Sequence, residues 1–273
     1  MGKKMKNAPV YFTIGQVQHN PILNLSSYVV AIQERLRKAG YPDFKQAMQV
    51  QFELSAAGVR DAGQAPQPAV QRVERFLISD MAGISGFSFQ TNAISFQTTE
   101  YETFEAFQSQ LRLGLEVLDE VVGGLAFVER IGLRYLDVVA PRPGERVGQY
   151  LANEVAGLRA RMPAATFAYS FSEAMLIDDD GSQVVSRTIV QSGGLSFPPD
   201  LQPESLTVAE RFRAVSGEHA VIDSDGSFSS RQQFNPQFIE AKLNALHDLI
   251  DKSFQETASD HARKVWGAEG VGE

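Results

Sequence analysis

Phe127-Val128-Glu129-Arg130-Ile131-Gly132-Leu133-Arg134-Tyr135-Leu136-Asp137-Val138-Val139 is the stretch from which the fold is read. Ile131, Leu133 and Tyr135 alternate with Arg130, Gly132 and Arg134. A period of two puts successive side chains on opposite faces of a sheet, so the run is a strand with one face turned to a core. The other face carries guanidinium groups. If that face is covered, Arg134 needs a carboxylate or carbonyl partner. Pro141, Arg142, Pro143 and Gly144 then break the pattern, and Pro141 to Glu145 marks a boundary between halves.

Upstream of this strand the spacing predicts an opening strand over Pro9–Val17 and a helix over Ser26–Ala39. Leu25, Val29, Ile32 and Leu36 recur along one helical face, and Gly40 and Pro42 stop it. Gln49–Leu54 and Phe76–Met81 read as strands around an Ala-, Gly- and Pro-rich loop, Ala56–Ala69. Gly86–Thr98 reads as two more strands with a turn near Asn92. A second helix follows over Thr103–Val122, with Phe104, Phe107, Leu111, Leu115, Leu118 and Val122 as its apolar stripe. Gly123 and Gly124 end it.

Downstream, Gly148–Arg161 reads as a helix stopped by Pro163. Thr166–Ile177 and Gln183–Gln191 read as a hairpin through Asp180-Gly181, because both residues tolerate turn geometry. Phe197–Thr207 is a Pro-rich loop. A second Asp-Gly pair, Asp225-Gly226, predicts another hairpin between Glu218–Asp223 and Gly226–Phe234. The last helix has Asn235 as its cap, Pro236 at its first position and a stripe of Ile239, Leu243, Leu246, Ile250 and Phe254. The expected class is therefore α+β: a twisted, mainly antiparallel sheet covered by long helices. It is expected as two coupled halves, residues 1–140 and 146–273. Their common order of elements suggests a structural duplication.

The chain has 273 residues, 25 Lys and Arg against 33 Asp and Glu, a net charge of −8 and no cysteine. Thiolate nucleophiles, thiolate metal sites and disulfide scaffolds are excluded. Lys3, Lys4 and Lys6 are not followed by the apolar run of a secretory signal, and no stretch approaches the roughly 18 apolar residues of a membrane span. A cytoplasmic protein without membrane contact is expected. The acidic balance disfavours nucleic acid, which calls for clustered positive charge.

No common catalytic or nucleotide-binding motif is present. His19, His219, His247 and His261 are dispersed, without metal-ligand spacing, so no metal or cofactor is expected. His247 follows the stripe residue Leu246 and reads as the flank of a core face. Asp178, Asp179 and Asp180 read as a solvated hairpin tip. Asp223 and Asp225 are two residues apart and share one face if a strand runs through them. They can pair with Arg134 across the halves, hold a cation, or act as acid and base. The candidate residues are thus Arg134, Asp223 and Asp225, as a buried lock between halves or as an anion-binding site.

Asn7-Ala8-Pro9, Tyr101-x-x-Phe104-x-x-Phe107, the Arg130 to Tyr135 strand, Asp223-x-Asp225 and the final Leu246-His247, Ile250, Phe254 and Trp266 occur in that order. Together they resemble a sporadically distributed bacterial family of uncharacterised proteins of about this length. The Gly-Leu-Arg-Tyr strand is the most specific piece. Two residues after Tyr135 the family pattern often has Asn, where this chain has Asp137. The resemblance implies no activity. The patchy distribution implies a mobile-element or phage-defence setting.

Two functions are open at this point. One is a non-catalytic interaction protein with a protein partner. The other is an enzyme with a site between the halves, Arg134 holding an anionic substrate and Asp223 with Asp225 serving as cation ligands or acid–base pair. A basic strip of Arg130 and Arg134 on nucleic acid is a weaker third. A homo-oligomer through Phe87, Phe89 and Phe96 competes with their use as core.

Overall fold

The computed structural model describes residues 7–53, 69–162, 164–165, 167–201, 203 and 205–267. Its centre is a single antiparallel sheet of nine strands. In chain order they are β1 (Val10–His19), β2 (Asp43–Glu53), β3 (Ala69–Ser79), β4 (Ser85–Gln90), β5 (Ala93–Thr98), β6 (Phe127–Val139), β7 (Ser170–Ile177), β8 (Gln183–Ser192) and β9 (Glu218–Gln233). In space they run β2-β3-β4-β5-β1-β6-β9-β8-β7. With helices packed on this sheet, the α+β class is the observed one.

The three long helices α1 (Leu25–Lys38), α2 (Phe104–Val122) and α6, here labelled by its place in the chain (Pro236–Thr257), bury their apolar stripes in one core against the sheet. That core takes Ile131, Leu133 and Tyr135 from β6, as the alternation requires, and Phe87, Phe89 and Phe96 from β4 and β5. Thr103 caps α2 by accepting from the Ala106 amide, and Asn235 caps α6 by accepting from the Phe238 amide. The helices lie close to the sheet. A Cβ on Gly114 of α2 would stand 2.5 Å from the Phe87 ring, so only hydrogen fits there.

The short helices are α3 (Asn153–Ala156), α4 (Leu158–Arg161), α5 (Glu210–Arg213) and α7 (Asp260–Trp266). A second cluster joins Val139, Tyr150, Phe254 and Trp266. A third covers the opposite face of the sheet, where Leu195, Phe197, Leu201 and Phe212 from the segment after β8 pack on Tyr11, Phe12 and Leu136.

Four expectations need correction. Asp225-Gly226 is no hairpin: β9 runs unbroken through it, with Asp225 opposite Arg134 and Gly226 opposite Leu133. Gly226 is needed for space rather than for a turn, since a Cβ there would meet Ile250 Cδ1 at 2.9 Å. Asp180-Gly181 does turn, with Gly181 at φ +81. The helix expected over Gly148–Arg161 is broken into a 3-10 turn, Val147–Gln149, and two single turns. Leu151 instead bridges to Ala258, and the Ala152 amide donates to the Thr257 carbonyl. This draws Tyr150 and Leu151 into the second cluster, and Gly157, at φ +54, separates the last turns. The strands β2 and β3 begin earlier than periodicity indicated, at Asp43 and Ala69, because the edge strand β2 is polar and largely exposed where described. The loop expected over Ala56–Ala69 lies outside the described residues up to Ala69, as do Lys3, Lys4, Lys6 and Pro163.

Candidate functional site

The pairing of β6 with β9 sets Arg134 opposite Asp225 and Leu136 opposite Asp223. Both carboxylates therefore share the face of Arg134, as their spacing of two requires once the strand is continuous. Arg134 is 8% exposed. Its Nε donates to Asp223 Oδ1 at 2.7 Å and its Nη2 to Asp223 Oδ2 at 2.8 Å. Nη1 donates to Asp200 Oδ2 at 2.6 Å and lies 4.0 Å from Asp225 Oδ2. Arg187 of β8 donates to Asp223 at 3.4 Å and to Glu173 of β7 at 2.6 Å.

Burial on its own would lower the pKa of Arg134. The bonds to Asp223 and Asp200 outweigh it and hold the guanidinium above its ordinary range. Burial pushes the Asp225 carboxyl up, with Arg134 and Arg130 pulling against that. The structure thus brings the three sequence candidates together and adds Asp200, which sequence reasoning missed. Asp200 sits in a Pro-rich loop with no periodicity to point to it. An anion would have to displace a carboxylate to reach Arg134.

The opposite face of the same strand borders a cavity of about 550 Å³ between the sheet, the start of α2 and α6. Tyr135 and Asp137 form part of its lining from β6, Tyr101 and Phe104 from the start of α2, and His247 and Asp251 from α6. The Tyr101 and Tyr135 hydroxyls are 3.3 Å apart, and the Tyr135 hydroxyl is 3.2 Å from His247 Nδ1. Phe104 stacks on the His247 ring, centroids 4.0 Å apart and planes within 5°.

Asp137 is 4% exposed and has no hydrogen bond or ion pair among the described residues. Burial pushes its carboxyl up to about 8. Burial likewise lowers His247 and pushes Tyr101 up to about 12. At neutral pH these groups are a protonated carboxyl, a neutral imidazole and phenols. The signal for Asp137 was in the sequence: it continues Ile131, Leu133 and Tyr135, and so places a carboxyl at a core-facing position. His247 is more than a flank of the stripe, since it is tied to both Tyr135 and Phe104.

The third feature is the edge strand β7. Among the described residues it pairs with β8 only, and its outer edge ends the sheet. Phe171, Met175 and Ile177 share one face and are 54%, 56% and 71% exposed. Tyr169, just before the strand, is exposed too. The one charge in β7, Glu173, is held by Arg187. Natural edge strands usually carry unpaired charges, Pro or a bulge that discourage pairing, and this one carries exposed apolar groups instead.

No helix among the described residues is long and apolar enough to cross a membrane. No protein-family model and no curated protein matches the chain.

Proposed function

We propose that the chain is a non-catalytic interaction protein whose protein partner adds an extended strand to the free edge of β7. The observation that carries this is the exposed apolar face of that edge strand, Phe171, Met175 and Ile177. A strand laid along β7 would satisfy the edge amides and carbonyls and cover these side chains. Main-chain bonds would supply affinity, and the side-chain pattern would supply selectivity.

In this reading Arg134 and Asp223 are a lock between the neighbouring strands β6 and β9, and Asp225 and Asp200 steady it. The strand order supports the duplication as well. Two runs of the chain, β1 to α2 and β6 to α6, each start with a central strand, go out to an edge, return strand by strand to lie beside that first strand, and end in a long helix, so a boundary between repeats would fall before β6 rather than at Pro141 to Glu145. The alternative, an enzyme using Arg134 for an anionic substrate with Asp223 and Asp225, has less support, because the guanidinium is already engaged by two carboxylates.

The test is the elution of tagged protein extracted from its source cells. Wild type should elute in a complex larger than the free chain. The Met175→Lys, Ile177→Lys variant should elute as the free chain with an unchanged circular dichroism spectrum, since exposed substitutions of this kind cost no more than about 0.5 kcal/mol. Equal elution of both would contradict the reading. A complex that holds only copies of this chain would replace the partner by a dimer.

A further inference from the structure

The cavity on the helix side of β6 has a composition unlike the rest of the interior. Besides Asp137 and Asp251 it is lined by Glu102, Glu105 and Asp248, and no Lys or Arg lines it among the described residues. Its apolar surface is largely aromatic, with Tyr101, Phe104 and Tyr135. Carboxyls at the mouth raise the local concentration of cations, and aromatic faces attract a cation that has shed its water.

At the bottom stands Asp137, buried and without a partner among the described residues. A buried carboxyl normally has its hydrogen bonds supplied by the protein. Here the neighbours that face it are poor suppliers. Tyr135 and Tyr101 are bonded to each other and on to His247, and Asp251 is acidic. Tyr11 of β1, also close enough to feel the charge, donates its hydroxyl hydrogen bond to the Ser196 carbonyl. A hydrogen-bond donor entering through the cavity would complete the site. A metal ion fits poorly, because among the described residues no three His, Asp or Glu side chains converge on one point.

We infer that this cavity binds a small organic cation, an ammonium group on an aromatic or aliphatic stem, with the ammonium on Asp137 and the stem between Tyr101 and Phe104. Asp137 then ionises on binding and gives its proton to solvent, while the ligand stays protonated. No bond in ligand or protein is otherwise made or broken. The site is independent of β7 and of any partner there.

The test uses the full chain and two probes of equal shape, phenethylammonium and neutral 2-phenylethanol, by calorimetry at pH 7 in two buffers of different ionisation heat. The expected result is binding of the ammonium at least about tenfold tighter than the alcohol, with release of close to one proton. In Asp137→Asn the proton release should vanish and the preference for the cation should fall. Asp251→Asn should weaken the cation less and keep the proton release. Equal binding of the two probes, no binding of the ammonium at millimolar concentration, or unchanged proton release in Asp137→Asn would overturn the inference. If Asp137→Asn did not fold, the wild-type proton count would still decide: a count near zero would overturn it.

Discussion

Arg134 and Asp223 meet in a two-point contact, Nε to Oδ1 at 2.7 Å and Nη2 to Oδ2 at 2.8 Å, with both side chains almost out of solvent. The two residues come from neighbouring strands of one sheet, β6 and β9. Planar two-point geometry of this kind is what distinguishes a strong ion pair from a loose one.

Removing one partner of a buried pair leaves the other charge uncompensated. Asp223→Ala is expected to cost about 3–5 kcal/mol in urea unfolding. Asp200 is exposed on its own side, so Asp200→Ala should cost no more than about 1 kcal/mol although it touches the same guanidinium. Equal losses for the two would contradict the assignment of Asp223 as the main partner.

Asp137 gives the stability a pH dependence of unusual sign for a carboxyl. Its folded pKa, about 8, lies above the ordinary carboxylate value, so between about pH 4 and pH 8 the native state holds a proton that the unfolded state has lost. Its contribution to stability is full below the ordinary value and is lost as pH rises through 8, at about 1 kcal/mol per pH unit. Asp137→Asn removes this titration. The variant should gain on wild type as pH rises from 5 to 8, read as the difference in unfolding free energy by urea titration. A difference independent of pH would show that the carboxyl is already ionised in the native state.

Gly114 separates two effects of opposite sign. Alanine in a helix gains about 1 kcal/mol over glycine. Here the new Cβ would stand 2.5 Å from the buried Phe87 ring, and overpacking costs about 1–3 kcal/mol. Gly114→Ala should therefore lower the melting temperature, and Phe87→Leu in the same chain should recover part of the loss. A melting temperature that rises in the single variant would mean that the ring can move aside.

Much of this was legible in the sequence, for identifiable reasons. The stripes of α1, α2 and α6 and the alternation of β6 are strong periodic signals; the structure places α1, α2 and β6 within a residue or so of their expected limits and starts α6 at Pro236. Asp180-Gly181 and Asp225-Gly226 look alike as dipeptides. Only the packing of Ile250 decides that one turns the chain and the other lets a helix approach. The Arg134 and Asp223 contact was readable from alternation on two strands, whereas Asp200 was not, because an irregular loop carries no period. The cavity was half legible: Asp137 broke an apolar face in plain view, but the chain from Tyr101 through Tyr135 to His247 joins three segments that only the fold brings together.

The central claim, that β7 receives a partner's strand, is tested most directly by placing a photo-crosslinking amino acid at Ser172 in the source cells. Glu116 on the exposed side of α2 serves as the control position. The account predicts adducts with one protein at Ser172 and none at Glu116, and loss of the Ser172 adduct when Met175→Lys and Ile177→Lys are added. No adduct at Ser172, or the same adducts at both positions, would contradict it.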